Sequence, residues 1–176
     1  MNPPPRASRP RRIVVVGRAG SGKSTTSIAL GLALGLPVVH LDQLYWTSDW
    51  HPVGTERFEA LHDAAIATED WVMDGGYMSL PSFGGRVRRA DLVVITQAPL
   101  PVCLFRVVRR TFRYHGRERP GRPDGADERF SIEFLIWIVR WTWKHRHLER
   151  EIRAHDASIP IVVVRRPADL DRVLLG

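Results

Sequence analysis

The stretch Ile13-Val14-Val15-Val16-Gly17-Arg18-Ala19-Gly20-Ser21-Gly22-Lys23-Ser24 decides the fold. Its opening β-branched run reads as a buried strand, and residues 24–34 after it have helical spacing. Between the two, Gly17, Gly20 and Gly22 supply the backbone freedom that lets several N–H groups converge on one anion. A strand running through such a turn into a helix is the context in which this spacing cradles phosphates, because the helix directs its positive end at them. Lys23 is expected to reach the β- and γ-phosphates, and Ser24 to ligate Mg²⁺. The motif points to a nucleoside triphosphate, ATP with Mg²⁺. The expected binding set is Gly17, Ala19, Gly20, Ser21, Gly22, Lys23, Ser24 and Thr25. A glycine-rich turn without a ligand is the plainer alternative.

The rest of the chain is compatible with one phosphate-binding domain. Its net charge of +7 comes almost wholly from arginine, since Lys23 and Lys144 are its only lysines. A compact ammonium inside the loop of an arginine-rich chain marks a position where a planar guanidinium would not serve. The basic balance favours anionic partners, nucleotides or nucleic acid among them. Cys103 is the only cysteine, so no internal disulfide or cysteine-rich metal site forms, and a reducing cytoplasm is the simplest home. Residues 1–11 read as a disordered basic tail without a signal-peptide core, and 12–176 as a single domain. The longest apolar stretch, 132–143, is broken by Glu133 and Arg140 and falls short of the ~20 residues that span a bilayer.

Buried strands are predicted at 13–16, 37–41, 71–74, 92–96 and 159–164. Helices are predicted at 24–34, 56–68, 101–114 and 131–154. Such alternation gives an open parallel sheet covered on both faces, an α/β fold. The glycines, prolines and charges of 115–128 read as an exposed loop, a lid over the site. In the last helix, Phe134, Trp137, Ile138, Trp141 and Leu148 read as a core-facing stripe, and Lys144-His145-Arg146-His147 as its solvated last turns.

In open parallel sheets ligands bind beyond the carboxyl ends of the strands, which places Asp42 and Asp74 at the site. There a carboxylate holds a magnesium-bound water or accepts a proton from an attacking hydroxyl; each acid is alternatively a turn cap. His40 reads as a core or wall residue. Arg106, Arg109, Arg110 and Arg113 share one broad helical face, continued by Arg117, Arg119 and Arg122 in the loop. Such a face meets a triphosphate, meets nucleic-acid phosphates, or is simply solvated.

With these residues placed, the chain resembles adenylate-kinase-like P-loop proteins, and within them the bacterial topology modulation proteins. The resemblance rests on residues 17–24, His40-Leu41-Asp42-Gln43-Leu44-Tyr45-Trp46, Met73-Asp74-Gly75-Gly76-Tyr77, Cys103-Leu104-Phe105-Arg106, Phe134-Leu135-Ile136-Trp137 and Lys144-His145-Arg146. It implies a five-stranded parallel sheet in the order 2-3-1-4-5 with a lid after the fourth strand. It further implies that Asp74 orders magnesium water, and that Arg106 and Arg110 pack on adenine and hold phosphates. The arginines with which adenylate kinases grip an acceptor phosphate are missing after Asp42 and Asp74, unless Arg86, Arg88 or Arg89 substitutes. Asp42 with Tyr45 and Trp46 suits a hydroxyl-bearing acceptor with an apolar face. The expected activity is phosphoryl transfer, with Lys23, Arg106, Arg110 and Asp42 catalytic and Ser24 and Asp74 at the metal. A regulatory nucleotide-binding protein affecting DNA topology, and NTP hydrolysis coupled to a partner, are the alternatives.

Overall fold

A computed structural model describes residues 9–114 and 130–174. The tail through residue 8 and the expected lid lie outside the described residues. The strands are β1 (Arg12–Gly17), β2 (Val38–His40), β3 (Trp71–Asp74), β4 (Leu92–Thr96) and β5 (Ile161–Val164). They form one sheet in the order β2-β3-β1-β4-β5, with every neighbouring pair parallel. This is the expected α/β architecture and strand order. Because successive strand residues point to opposite faces, Val14, Val16, Met73 and Ile95 enter one apolar cluster with Leu41, Phe58 and Ile152. Ile13, Val15, Val72 and Val94 enter a second with Leu30 and Val173. Burial on both faces is why β1 reads as a continuous apolar run rather than an alternating one.

Charges pin the opposite end of the central strand. Asp91 accepts from the backbone N–H groups of Arg11 and Arg12 at 3.0 and 2.9 Å and pairs with the Arg12 guanidinium at 2.6 Å. Arg11 bonds Asp70 through Nη2 at 2.8 Å. The start of β1 is thereby tied to the starts of β3 and β4, in register with its carboxyl end.

The helices are α1 (Lys23–Leu34), α2 (Leu41–Tyr45), α3 (Thr55–Ala67), α4 (Ser82–Arg89), α5 (Leu100–Arg113), α6 (Ile132–Lys144), α7 (Leu148–Arg153) and α8 (Asp171–Leu174). The expected second strand stops at His40 because Leu41 and Asp42 already belong to α2, so Asp42 sits in a first helical turn rather than on a strand end. α4 carries Gly84 and Gly85, which weaken its helical signature. The single helix expected over 131–154 is two. The chain turns at His145, whose ring is buried, packs at a tilt against Trp141 at 4.7 Å between centroids and bonds Glu151 at 2.6 Å. That turn places Leu148 beyond α6, and within α6 the expected stripe is only partly buried. Ile138 and Leu148 are buried and Trp141 packs on the core, but Phe134 and Trp137 are 36% and 49% exposed. His145 likewise is no solvated last-turn residue. Among the described residues, no helix is long and apolar enough to cross a membrane.

His62 of α3 is fully buried, and both ring nitrogens lack hydrogen-bond partners. Burial, with the nearby Arg86 guanidinium, lowers its pKa to about 4. A histidine held neutral in the fold but protonated when unfolded makes stability fall as pH drops from about 6.5 to about 4, by about 3 kcal/mol in total. His62→Phe is expected to remove that part of the acid-induced loss, read from denaturant midpoints at pH 7 and pH 4.5.

Candidate active site

The phosphate-type loop leaves β1 at Gly17 and enters α1 at Lys23. Gly20 has φ +79°, and a Cβ there would lie 2.4 Å from the carbonyl oxygen of Cys103, so the loop rests on the first turn of α5. Gly17 is equally confined, since a Cβ would lie 2.4 Å from the carbonyl oxygen of Thr96. The Ser21 hydroxyl bonds Thr96 Oγ1 at 2.6 Å and the Arg18 carbonyl at 2.8 Å, tying the loop to the end of β4. Lys23 donates to the Arg18 carbonyl at 3.1 Å. Burial lowers its pKa, opposed by the carboxylates of Asp74 and Asp42.

Asp74 ends β3 beside this lysine and is buried. Burial works to raise its pKa, but the 2.8 Å bond from His40, the Lys23 ammonium and the nearby Ser24 hydroxyl outweigh it and hold the carboxyl below its usual range. Asp74 Oδ1 is buried without a hydrogen-bond partner. An unfilled carboxylate oxygen beside a serine hydroxyl fits a magnesium-bound water, which needs only these protein groups once phosphates complete the shell. Among the described residues, no three His, Cys, Asp or Glu side chains gather to make a metal site of their own. His40, read from sequence as a wall residue, is thus the orienting partner of Asp74.

α5 divides its arginines. Arg106 reaches the Gly20 carbonyl at 3.4 Å, and the charge of Arg110 acts on Lys23. Arg109 is exposed, and Arg113 lies 5.8 Å from the Tyr114 ring centroid. The expected four-arginine face is therefore two residues deep at the loop. Arg117, Arg119 and Arg122 lie outside the described residues.

Asp42, whose charge also acts on Lys23, accepts a 2.7 Å hydrogen bond from the Tyr77 hydroxyl. Burial and this carboxylate raise the Tyr77 pKa, so the phenol stays a donor. Tyr77 packs against Tyr45 and Phe58 at 4.8 and 5.2 Å. Trp46 and Trp50 extend the wall on a short finger closed by the Trp46–Pro52 bridge. Among the described non-glycine residues, only Trp50 and Tyr77 have positive φ, at 61° and 45°. Strained backbone of this kind persists where the surroundings over-determine it, and it clusters at binding sites.

The candidate substitutes for missing acceptor arginines do not serve as such. Arg86 is fully buried, donates to the Gly75 and Gly76 carbonyls at 3.3 and 2.6 Å, and has its pKa lowered to about 9 by burial. It braces the loop that carries Tyr77. Arg88 lies against Gly84, and Arg89 bonds the Ala67 carbonyl. Sequence reasoning missed Tyr77 and Thr96. The alternation of polar and apolar residues gave no sign of either, because each acts through a residue distant in sequence.

Comparison with solved structures finds the same fold. A shikimate kinase from Acinetobacter baumannii in complex with shikimate aligns over 94% of this chain and 89% of its own, with TM-score 0.59 and 18% identity. A shikimate kinase from Bacteroides thetaiotaomicron aligns over 94% and 95%, with TM-score 0.58 and 16% identity. A gluconokinase from Sinorhizobium meliloti 1021 aligns over 94% and 90%, with TM-score 0.56 and 20% identity. No protein-family model matches the chain, and no curated protein matches it.

Gly20→Ala forces a side chain onto the Cys103 carbonyl and strains a positive-φ position. It is expected to destabilise the fold by about 1–3 kcal/mol in denaturant unfolding and to weaken nucleotide binding.

Proposed function

We propose that this chain is an ATP- and Mg²⁺-dependent phosphotransferase acting on a hydroxyl of a small molecule. The observation that carries the reading is the convergence of two carboxylates on the loop lysine. The charges of both act on Lys23, and each is held by a partner: Asp74, buried, by His40, and Asp42 by Tyr77. The structural likeness to shikimate kinases and a gluconokinase supports a kinase-like activity.

ATP supplies the transferable phosphoryl group and Mg²⁺ its charge neutralisation. Loop amides and Lys23 bind the phosphates, and Ser24 with the free Oδ1 of Asp74 holds the metal's water shell. Arg106 and Arg110 offset charge on the transferring group. Tyr77 fixes one oxygen of Asp42, leaving the other to take the acceptor hydroxyl's proton as the acceptor oxygen bonds to phosphorus and the bond to the bridging oxygen breaks. The aromatic wall of Tyr45, Trp46 and Tyr77 offers an acceptor its apolar face. Cytoplasmic residence, which rests on the single cysteine Cys103, and kinship with the topology modulation proteins, which rests on the sequence strings around Asp42 and Asp74, belong to this same reading. The DNA-directed alternative draws on Arg117, Arg119 and Arg122, outside the described residues, and requires DNA binding that falls steeply with salt.

Lys23→Ala is expected to abolish tight ATP binding in calorimetry, and retained binding would overturn the assignment. Asp42→Asn is expected to keep ATP binding while lowering transfer about 10²–10⁴-fold. The assay is transfer from labelled ATP across nucleosides, nucleotides and hydroxylated metabolites. Slow hydrolysis with no transfer to any of them would favour the regulatory reading.

A further inference from the structure

The turn between α6 and α7 builds a second basic surface beside the phosphate loop. His145 is locked there by Trp141 and Glu151, so the corner is rigid, and Arg146 and Arg150 project from it. They face a cleft of about 700 Å³ whose opposite wall is Gly17 and Arg18 of the loop, with Thr96 and Gln97 at the end of β4.

The charges of this cleft do not cancel. Arg153 is neutralised by Glu149 at 3.2 Å, and His145 is paired with Glu151. No described acid pairs with Arg18, Arg146 or Arg150. Among the described residues, Arg146 bonds the His147 ring, through Nε at 3.2 Å. Guanidiniums gathered around one concave space repel each other and focus a positive potential into it, which an entering anion relieves. Planar guanidiniums match carboxylate and phosphate oxygens in particular.

A contact next to the cleft reaches toward the Asp42 side of the site. Lys144, at the end of α6, bonds Ser79 at 3.2 Å, in the loop that carries Tyr77. Trp141 lines the cleft and packs on the core cluster that Tyr45 and Tyr77 also join. Two of the three arginines of α4 are turned to other work: Arg86 holds two carbonyls, and Arg89 faces the opposite end of the sheet with Arg12 and Asp91. An acidic group on the acceptor therefore finds its cations across the cleft, not in the helix after Asp74.

We propose that the cleft formed by Arg18, Arg146 and Arg150 is an anion site separate from the phosphate cradle, and that it holds the carboxylate or phosphate of an acidic acceptor whose hydroxyl meets Asp42. The acceptor half of this statement rests on the phosphotransferase reading; the anion site itself does not.

The test is calorimetric titration of the full chain with inorganic phosphate and, separately, with the hydroxyl-free tricarboxylate tricarballylate. Each is run with the phosphate loop filled by a non-hydrolysable ATP analogue and Mg²⁺, and without it. One bound anion is expected beside the analogue, weakening as salt rises. Arg146→Gln or Arg150→Gln is expected to lower that affinity about tenfold while leaving analogue affinity unchanged. Lys23→Ala, which removes the analogue, is expected to keep tricarballylate binding. Absence of anion binding, competition with the analogue, or indifference to both arginine variants overturns the proposal. Failure of the analogue to bind overturns the phosphotransferase reading instead, and the nucleotide-free titrations still decide the cleft. In the transfer assay, acceptance of neutral alcohols with rejection of hydroxy acids and phosphorylated alcohols overturns the acceptor assignment.

Discussion

Burying the Asp74 carboxylate is the constraint around which the carboxyl end of the sheet is organised. A buried charge is costly unless partners surround it, and here the partners come from two other elements. His40 arrives on β2, while Lys23 and Ser24 arrive at the start of α1. The position of the loop lysine, the register of β2 against β3 and the entry angle of α1 are consequently three solutions to one electrostatic problem. The Oδ1 left over makes the arrangement receptive to a ligand rather than merely stable.

Where a residue's role depends on its own chain neighbours, the sequence carries it openly. The run into Gly17, the glycine spacing and Lys23 identify strand, loop and helix together, and apolar runs at 71–74 and 92–96 identify the flanking strands. Legibility fails where one element yields to another within a residue or two. Leu41 and Asp42 continue an apolar strand pattern yet wind into α2. The glycines of α4 and its closely spaced arginines hide a helix whose phenylalanine and valine are buried. Residues 131–154 have a continuous helical period, and only the burial of His145 against Glu151, a tertiary pairing, divides it.

The acceptor side was the least readable part because its parts act through intermediaries. Asp42 was visible, but the phenol that orients it is 35 residues away. Arg86 looked like a candidate ligand and is instead an internal brace, a distinction only burial makes. A guanidinium with no water around it serves carbonyl groups of its own chain, whereas the exposed arginines of the α6–α7 corner have no such occupation.

The contact of Gly20 with Cys103 has a mechanical consequence. The loop has no cushion of side chains between itself and the first turn of α5, because backbone meets backbone there. Any tightening of the loop is transmitted to a rigid helix without slack, and that helix carries Arg106 and Arg110 along its length. The two arginines therefore move as cargo of the loop's floor.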